Sequence, residues 1–148
     1  MKLTAFIDGS SYGNPGDAGY GIVFFNESGD IVNTCGDYIG RNTNNVAEYQ
    51  ALIHCVKEAK KMACERLSVF SDSQLLVKQI SGEYRVKQPH LQILYQQVME
   101  EIADFGPDFE LSHVPREKNK DADSVARKAV KCKSRIMDDK IIPHGENR

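Results

Sequence analysis

Four carboxylates stand at the junctions between the elements that this sequence predicts: Asp8, Glu48, Asp72 and Asp123. Asp8 follows the apolar run Leu3-Thr4-Ala5-Phe6-Ile7 and precedes Gly9-Ser10-Ser11-Tyr12-Gly13-Asn14-Pro15-Gly16, a stretch of turn chemistry. An acid where a buried strand ends is held on rigid backbone and faces solvent or a ligand, a suitable post for a metal ligand. Asp72 follows Arg66-Leu67-Ser68-Val69-Phe70-Ser71 in the same way. Glu48 falls in the first turn or two of a helix that opens at Asn44, and Asp123 begins the last helix, within Asn119-Lys120-Asp121-Ala122-Asp123-Ser124-Val125-Ala126. Acids that share a cleft repel one another and cannot all stay ionised unpaired. Divalent cations relieve that repulsion. Oxygen ligands without a Cys or His cluster point to Mg²⁺, with Mn²⁺ as a substitute, rather than zinc. Two such ions roughly 3.5–4 Å apart would clamp an in-line phosphoryl displacement.

Each acid alone has a plainer account. Glu48 near a helix N-terminus favours the dipole, and Asp72 before Ser73 fits an N-cap. Asp121 competes with Asp123; we prefer Asp123 because the Val125 and Ala126 that follow it would pin the helix to the sheet. The specific signal is the set of four on one topology.

The elements that must position these acids can be read in order. Leu3 to Asp8, Ala18 to Phe25 and Ile31 to Ile39 read as strands, the last two joined by the turn Asn26-Glu27-Ser28-Gly29-Asp30. From Asn44 the period becomes helical, through Val46, Tyr49, Leu52, Ile53, Val56 and Ala59, with Thr43 or Asn44 as cap. A fourth strand ends at Asp72 and a short helix through Leu75, Leu76 and Ile80 follows. Another helix after Pro89 carries Leu91, Leu94, Tyr95, Val98 and Ile102, and Gly106-Pro107 stops it. Phe109 to Val114 is a fifth strand, and residues 120–132 form a last helix. The order is βββαβααβα: an α/β fold with a mixed five-stranded sheet and helices on both faces. We expect one domain over residues 1–133 and a loosely ordered tail over residues 134–148.

At 148 residues with 41% apolar and 27% charged content, the chain suits one soluble globular domain. The longest apolar run, Ile22-Val23-Phe24-Phe25, is too short for a bilayer. No signal-peptide pattern opens the sequence, and Cys35, Cys55, Cys64 and Cys132 form no Cys-x-x-Cys pair. Reduced thiols, a cytoplasmic location and a monomer are the expectations. The net charge of −2 does not advertise nucleic-acid binding. The charge is uneven, however: Arg116, Lys118, Lys120, Arg127, Lys128, Lys131, Lys133 and Arg135 face only Glu117, Asp121 and Asp123, and such a local basic face can bind phosphates.

Four segments together resemble type 1 ribonuclease H. They are Phe6-Ile7-Asp8-Gly9-Ser10 with Gly13-Asn14-Pro15-Gly16, Thr43-Asn44-Asn45 with Ala47-Glu48, Ser71-Asp72-Ser73-Gln74, and Asn119 with Ala122-Asp123. The resemblance runs from about Leu3 to about Ala129. It implies a ribonuclease H-like fold and endonucleolytic cleavage of the RNA strand of RNA–DNA hybrids, leaving 5′-phosphate and 3′-hydroxyl ends. It also implies that Asp8 bridges both ions, that Asp123 serves the ion on the attacking-water side, and that Glu48 and Asp72 serve the leaving-oxygen side. Asn14, Asn44, Asn45 and Gln74 offer uncharged amides suited to a hybrid's minor groove. Thr43 resembles a family residue that contacts a DNA-strand phosphate, and Asn119 matches a family position near the site.

Two features depart from the family. Many relatives carry a histidine in the loop after the fifth strand; here Val114 to Asn119 holds none, and His113 precedes it. Some relatives insert a basic, Trp-rich handle after the short helix; here Ser81 to Pro89 is brief, with Arg85 and Lys87 only, so weaker or more salt-sensitive hybrid binding is expected. The alternatives are a catalytically silent hybrid-binding module, which would have no need of a charge-repelling quartet, and another nuclease on the same fold.

Overall fold

The computed structural model describes residues 1–143. Its sheet has seven strands in the order β5-β4-β1-β2-β3-β6-β7. These are β1 Lys2–Gly13, β2 Gly16–Phe25, β3 Ile31–Asn42, β4 Arg66–Ser71, β5 Phe109–His113, β6 Ser134–Met137 and β7 Lys140–Pro143. The helices are α1 Asn44–Lys61, α2 Gln74–Ile80, α3 Pro89–Phe105 and α4 Lys120–Cys132, with a 3-10 turn over Arg116–Lys118. β1, β2 and β3 form an antiparallel meander, while β4 and β5 run parallel to β1.

The sheet separates two layers. On one face Leu3, Ala5, Ile7, Tyr20, Ile22 and Phe24 meet Tyr49, Leu52, Ile53 and Val56 of α1, and Leu76, Leu91 and Val98 close this larger core. On the other face Val23 and Ile136 pack with Val125 and Ala129 of α4. The period-2 alternation of the strands and the helical spacing of α1 therefore point into the same core. Among the described residues, no helix is long and apolar enough to cross a membrane.

Two expectations are corrected. The sheet has seven strands rather than five, and the element order continues past α4 into a hairpin. Ser134–Met137 lies against β3, pairing at Cys35↔Met137 and Gly36↔Ile136, and Lys140–Pro143 returns beside it. So residues 134–143, read as loosely ordered, extend the sheet edge; residues 144–148 of that tail lie outside the described residues. The hairpin turns at Asp138 and Asp139, both at positive φ (53° and 61°). That is the backbone of a two-residue hairpin loop, which Asn-Gly usually signals. Second, β1 does not stop at Asp8. It continues to Gly13, paired with β2 from Gly9↔Tyr20 to Gly13↔Gly16, because the neighbouring strand supplies partners that the Gly/Ser composition conceals.

Candidate active site

Parallel pairing of β1 with β4 ends at Ile7↔Ser71. The next residues are Asp8 and Asp72, so the register alone sets two carboxylates side by side at the carboxyl ends of the central strands. Ser73 caps α2, its Oγ accepting the Leu76 N–H at 3.2 Å. The cap is therefore Ser73 and not Asp72, which leaves the Asp72 carboxylate available.

Glu48 arrives from α1. Thr43 is the N-cap, its Oγ1 accepting the Val46 N–H at 3.3 Å, and the Asn14 side-chain oxygen accepts the Asn44 N–H at 3.0 Å. The first turn of α1 lies directly on β1 at Gly9. A Cβ there would meet the Ala47 carbonyl carbon at 2.5 Å and clash with the Glu48 nitrogen. The Gly9 N–H donates to Glu48 Oε1 at 3.1 Å, so the residue that admits the helix also aims its acid. Gly9→Ala should lower stability by about 1–3 kcal/mol, the usual cost of overpacking. It should also cut any cation-dependent activity further than that loss explains, because Glu48 moves with its helix; chemical denaturation beside a rate measurement checks both.

Asp123 comes from the opposite face. Asp8 pairs with Gly21 across β1 and β2. A Cβ on Gly21 would clash with the Ala122 carbonyl oxygen and meet the Ala126 nitrogen at 2.5 Å, so α4 can sit down only over glycine. That contact brings Asp123 into a cleft of about 290 Å³ with Asp8, Glu48 and Asp72. Asp121 points away, into a separate depression with Val23, Thr34 and Asp138.

Carboxylate oxygens of Asp8, Glu48 and Asp72 all lie within 4.8 Å of one another. Asp123 shares the cleft but stands outside this trio, and its Oδ2 accepts from Arg127 Nε at 2.9 Å. Asp8 and Glu48 are buried, at 5% and 8% exposure. Burial pushes the Asp8 carboxyl far above the usual range, and the charges of Glu48 and Asp72 and a hydrogen bond with Asp123 push the same way. Burial also raises Glu48, against the Gly9 N–H, which favours its charged form. Glu48 Oε2 is buried without a hydrogen-bond partner. An orphaned carboxylate oxygen beside two more acids fits a hard divalent cation, which would repay the desolvation and the repulsion together.

The polar residues expected at the site divide. Asn44 and Asn45 line the cleft, whereas Asn14, Thr43 and Gln74 lie outside its lining. Asn119 is 1% exposed and sits behind the site. Its Nδ2 donates to the Ile7 carbonyl at 2.8 Å and to Asp72 Oδ2 at 3.2 Å. It is thus a positioning residue tying α4's entry to β1 and Asp72. Ser10, Ser11, Ser73, Arg116 and Arg127 also line the cleft. Of these, Arg127 had a usable signal, because it follows Asp123 by one helical turn.

Residues 6–129 match the model of the reverse transcriptase-like family. The chain is 39% identical over 129 residues to the ribonuclease HI of Halobacterium salinarum, covering 87% of this chain and 64% of that protein. It is 40% identical over 131 residues to the bifunctional protein Rv2228c of Mycobacterium tuberculosis, covering 88% of this chain and 36% of that one. The chain thus spans less than two thirds of these curated relatives. The solved RNase H1 from Halobacterium salinarum superposes with a TM-score of 0.85 at 37% identity, covering 88% of this chain and 98% of that one. LC11-RNase H1, solved in complex with an RNA/DNA hybrid, superposes at 0.83 with 34% identity, over 87% and 96% of the two chains. The acid register of β1 and β4, the glycine seats of α1 and α4, and these matches over most of the chain agree, and the chain belongs to the type 1 ribonuclease H family.

Proposed function

We propose that this protein is a metal-dependent endonuclease that hydrolyses the RNA strand of RNA–DNA hybrids, leaving 5′-phosphate and 3′-hydroxyl ends. The observation that carries this reading is the trio Asp8, Glu48 and Asp72, within 4.8 Å, the first two buried, with Glu48 Oε2 unpartnered. Asp8, at the centre, would be shared by two Mg²⁺ ions, with Glu48 and Asp72 completing one position and Asp123 the other; Mn²⁺ would substitute. Bound there, the ions supply charge stabilisation to the attacking and leaving oxygens of an in-line displacement. The chain's own work is orientation. The Gly9 N–H fixes Glu48, and the Asn119 amide fixes Asp72. Asn44 and Asn45 present amides at the cleft wall, where 2′-hydroxyls and base edges of a hybrid's minor groove would lie. In the LC11-RNase H1 complex the bound nucleic acid is an RNA/DNA hybrid, which supports the same substrate here.

The test is cation dependence with end analysis. A hybrid should be cut with Mg²⁺ and left intact with EDTA, and the new 3′ ends should be extended by a polymerase without phosphatase treatment. Tight hybrid binding with no cleavage under any divalent ion would instead favour the silent binding module.

The loop after the fifth strand, Val114 to Asn119, carries no histidine, where many relatives have one. His113 and Glu117 are both exposed, and neither lines the cleft. General acid–base groups contribute typically ~10²–10⁴-fold. We therefore expect His113→Ala and Glu117→Gln to stay within a few-fold of the parent in single-turnover cleavage, with no limb in the pH–rate profile near the unperturbed histidine value of about 6.5. A large chemical defect in His113→Ala with the fold intact would place that imidazole in the reaction.

A further inference from the structure

Arg127 has a contact that the reaction does not need. Its Nε donates to Asp123 Oδ2 at 2.9 Å, and Asp123 is the acid that stands outside the tight trio. The Asp123 carboxyl is also within hydrogen-bonding reach of Asp8. Asp123 is therefore shared between an acid that belongs to the trio and a cation that does not. A guanidinium at this point competes with a divalent ion for the same carboxylate.

The pair is built to exchange. Residues 123 and 127 are one turn apart on α4, and the Arg127 side chain is 63% exposed. An i,i+4 ion pair whose guanidinium is this exposed is weak. Only Nε is engaged, and among the described residues the terminal Nη groups make no hydrogen bond. Arg127 nevertheless lines the cleft with Asp8, Asn44 and Asn45. Arg116 lines it too, and its charge acts on Glu48. The cleft thus holds two guanidinium groups, Arg116 in its lining and Arg127 paired with Asp123. Guanidinium groups so placed, with donors free, match the bidentate geometry of a phosphodiester oxygen pair.

We propose that Arg127 is an exchange residue: it neutralises Asp123 in the metal-free cleft, and binds a backbone phosphate of the hybrid when Asp123 turns to a divalent ion. The inference rests on the reading of the cleft as a cation site that admits a hybrid. Its consequence is coupling. Cation and hybrid each displace Arg127 from Asp123, so each favours the other, and the coupling is reciprocal.

The experiment compares the parent with Arg127→Ala and Arg127→Lys in three measurements. Calorimetric titration of the free protein with Mn²⁺ should show several-fold tighter binding in Arg127→Ala, because the competing charge is gone. The hybrid concentration giving half-maximal single-turnover cleavage should rise about tenfold, in the range for a hydrogen bond to a charged group. The slope of log affinity against log salt should fall by about 0.7–0.9, the loss of one phosphate contact. Arg127→Lys should recover part of the hybrid affinity and the salt slope. A merely structural Arg127 would weaken cation binding when removed, and that result overturns the proposal. Unchanged half-maximal concentration and salt slope overturn it equally. If the parent fails to cleave hybrid at all, the functional reading falls, while the Mn²⁺ titration still decides whether Arg127 and the ion compete.

Discussion

Asp8→Asn should remove hybrid cleavage while making the metal-free protein more stable. The two effects have one origin. Asp8 lies at the centre of the acid row, buried, with Glu48 and Asp72 within 4.8 Å and Asp123 in hydrogen-bonding reach. Removing its charge takes away the ligand common to both proposed ion positions. A loss of at least ~10²–10³-fold is expected, the size seen when one preorganised charge-stabilising group is deleted. The same substitution leaves a neutral amide among Glu48, Asp72 and Asp123 and relieves their repulsion.

The sign of the stability effect follows from linkage. Folded-state values of Asp8 and Glu48 are raised above their ordinary 3.8 and 4.5, by burial first and by neighbouring charge in addition. The folded chain therefore holds protons that the unfolded chain releases. This contribution to stability is complete below the ordinary carboxylate range and is lost as pH rises through the raised values. Metal-free parent should melt at lower temperature as pH is taken from about 5 to about 8, and Asp8→Asn should flatten that slope. A gain of one pKa unit's worth of free energy, about 1.4 kcal/mol, corresponds to a melting shift of roughly 3–6 °C for a chain of this size. Saturating Mg²⁺ should flatten the slope of the parent but change the variant little. Melting curves in EDTA and in Mg²⁺ at both pH values check the set. Near-normal cleavage by Asp8→Asn would remove the two-ion assignment.

The second large effect separates two aspartates on one helix. Asp123→Asn should slow cleavage by orders of magnitude, whereas Asp121→Asn should stay within a few-fold. Two residues along a helix turn the side chain through more than half a circle. Here that rotation puts Asp123 in the acid cleft and Asp121 in the depression beside Thr34 and Asp138. Neither change should cost much stability, since the Asp123–Arg127 pair is an i,i+4 pair with an exposed guanidinium and such pairs contribute little. Single-turnover rates at saturating Mg²⁺ provide the comparison. A reversed pattern would mean that α4 acts in a register other than the one its glycine seat imposes.

The site was legible because its acids sit where local rules are strong. The strand containing Phe6 and Ile7, the strand ending at Ser71 and the amphipathic period of α1 each had a clear period, and the acids followed from their ends. Asp123 was separable from Asp121 by the apolar Val125 and Ala126 beyond it, which do face the sheet. What the sequence hid were features made by tertiary contact. The run Gly9 to Gly13 has turn composition, yet it is a strand because β2 lies beside it and α1 needs Gly9 bare. The hairpin of β6 and β7 has only four residues per strand and an Asp138-Asp139 turn, too little for an alternating signal. In the sequence Asn119 is a polar residue just before a helix. Its burial depends on the Ile7 carbonyl, 112 positions earlier in the chain, which no local pattern reports. Arg116 and Arg127 were visible as parts of a basic stretch; their place over the acids was set by the 3-10 turn and by the α4 seat.

The most direct test of the central claim is strand-resolved cleavage. Equal concentrations of an RNA–DNA hybrid labelled on the RNA strand, the same hybrid labelled on the DNA strand, duplex RNA and duplex DNA are incubated with the protein in Mg²⁺, with Asp8→Asn as the control. Internal cuts are expected in the RNA strand of the hybrid alone, absent from the variant and from EDTA. Cleavage of duplex DNA or duplex RNA at comparable rates, or hybrid cleavage that survives Asp8→Asn, would contradict that claim.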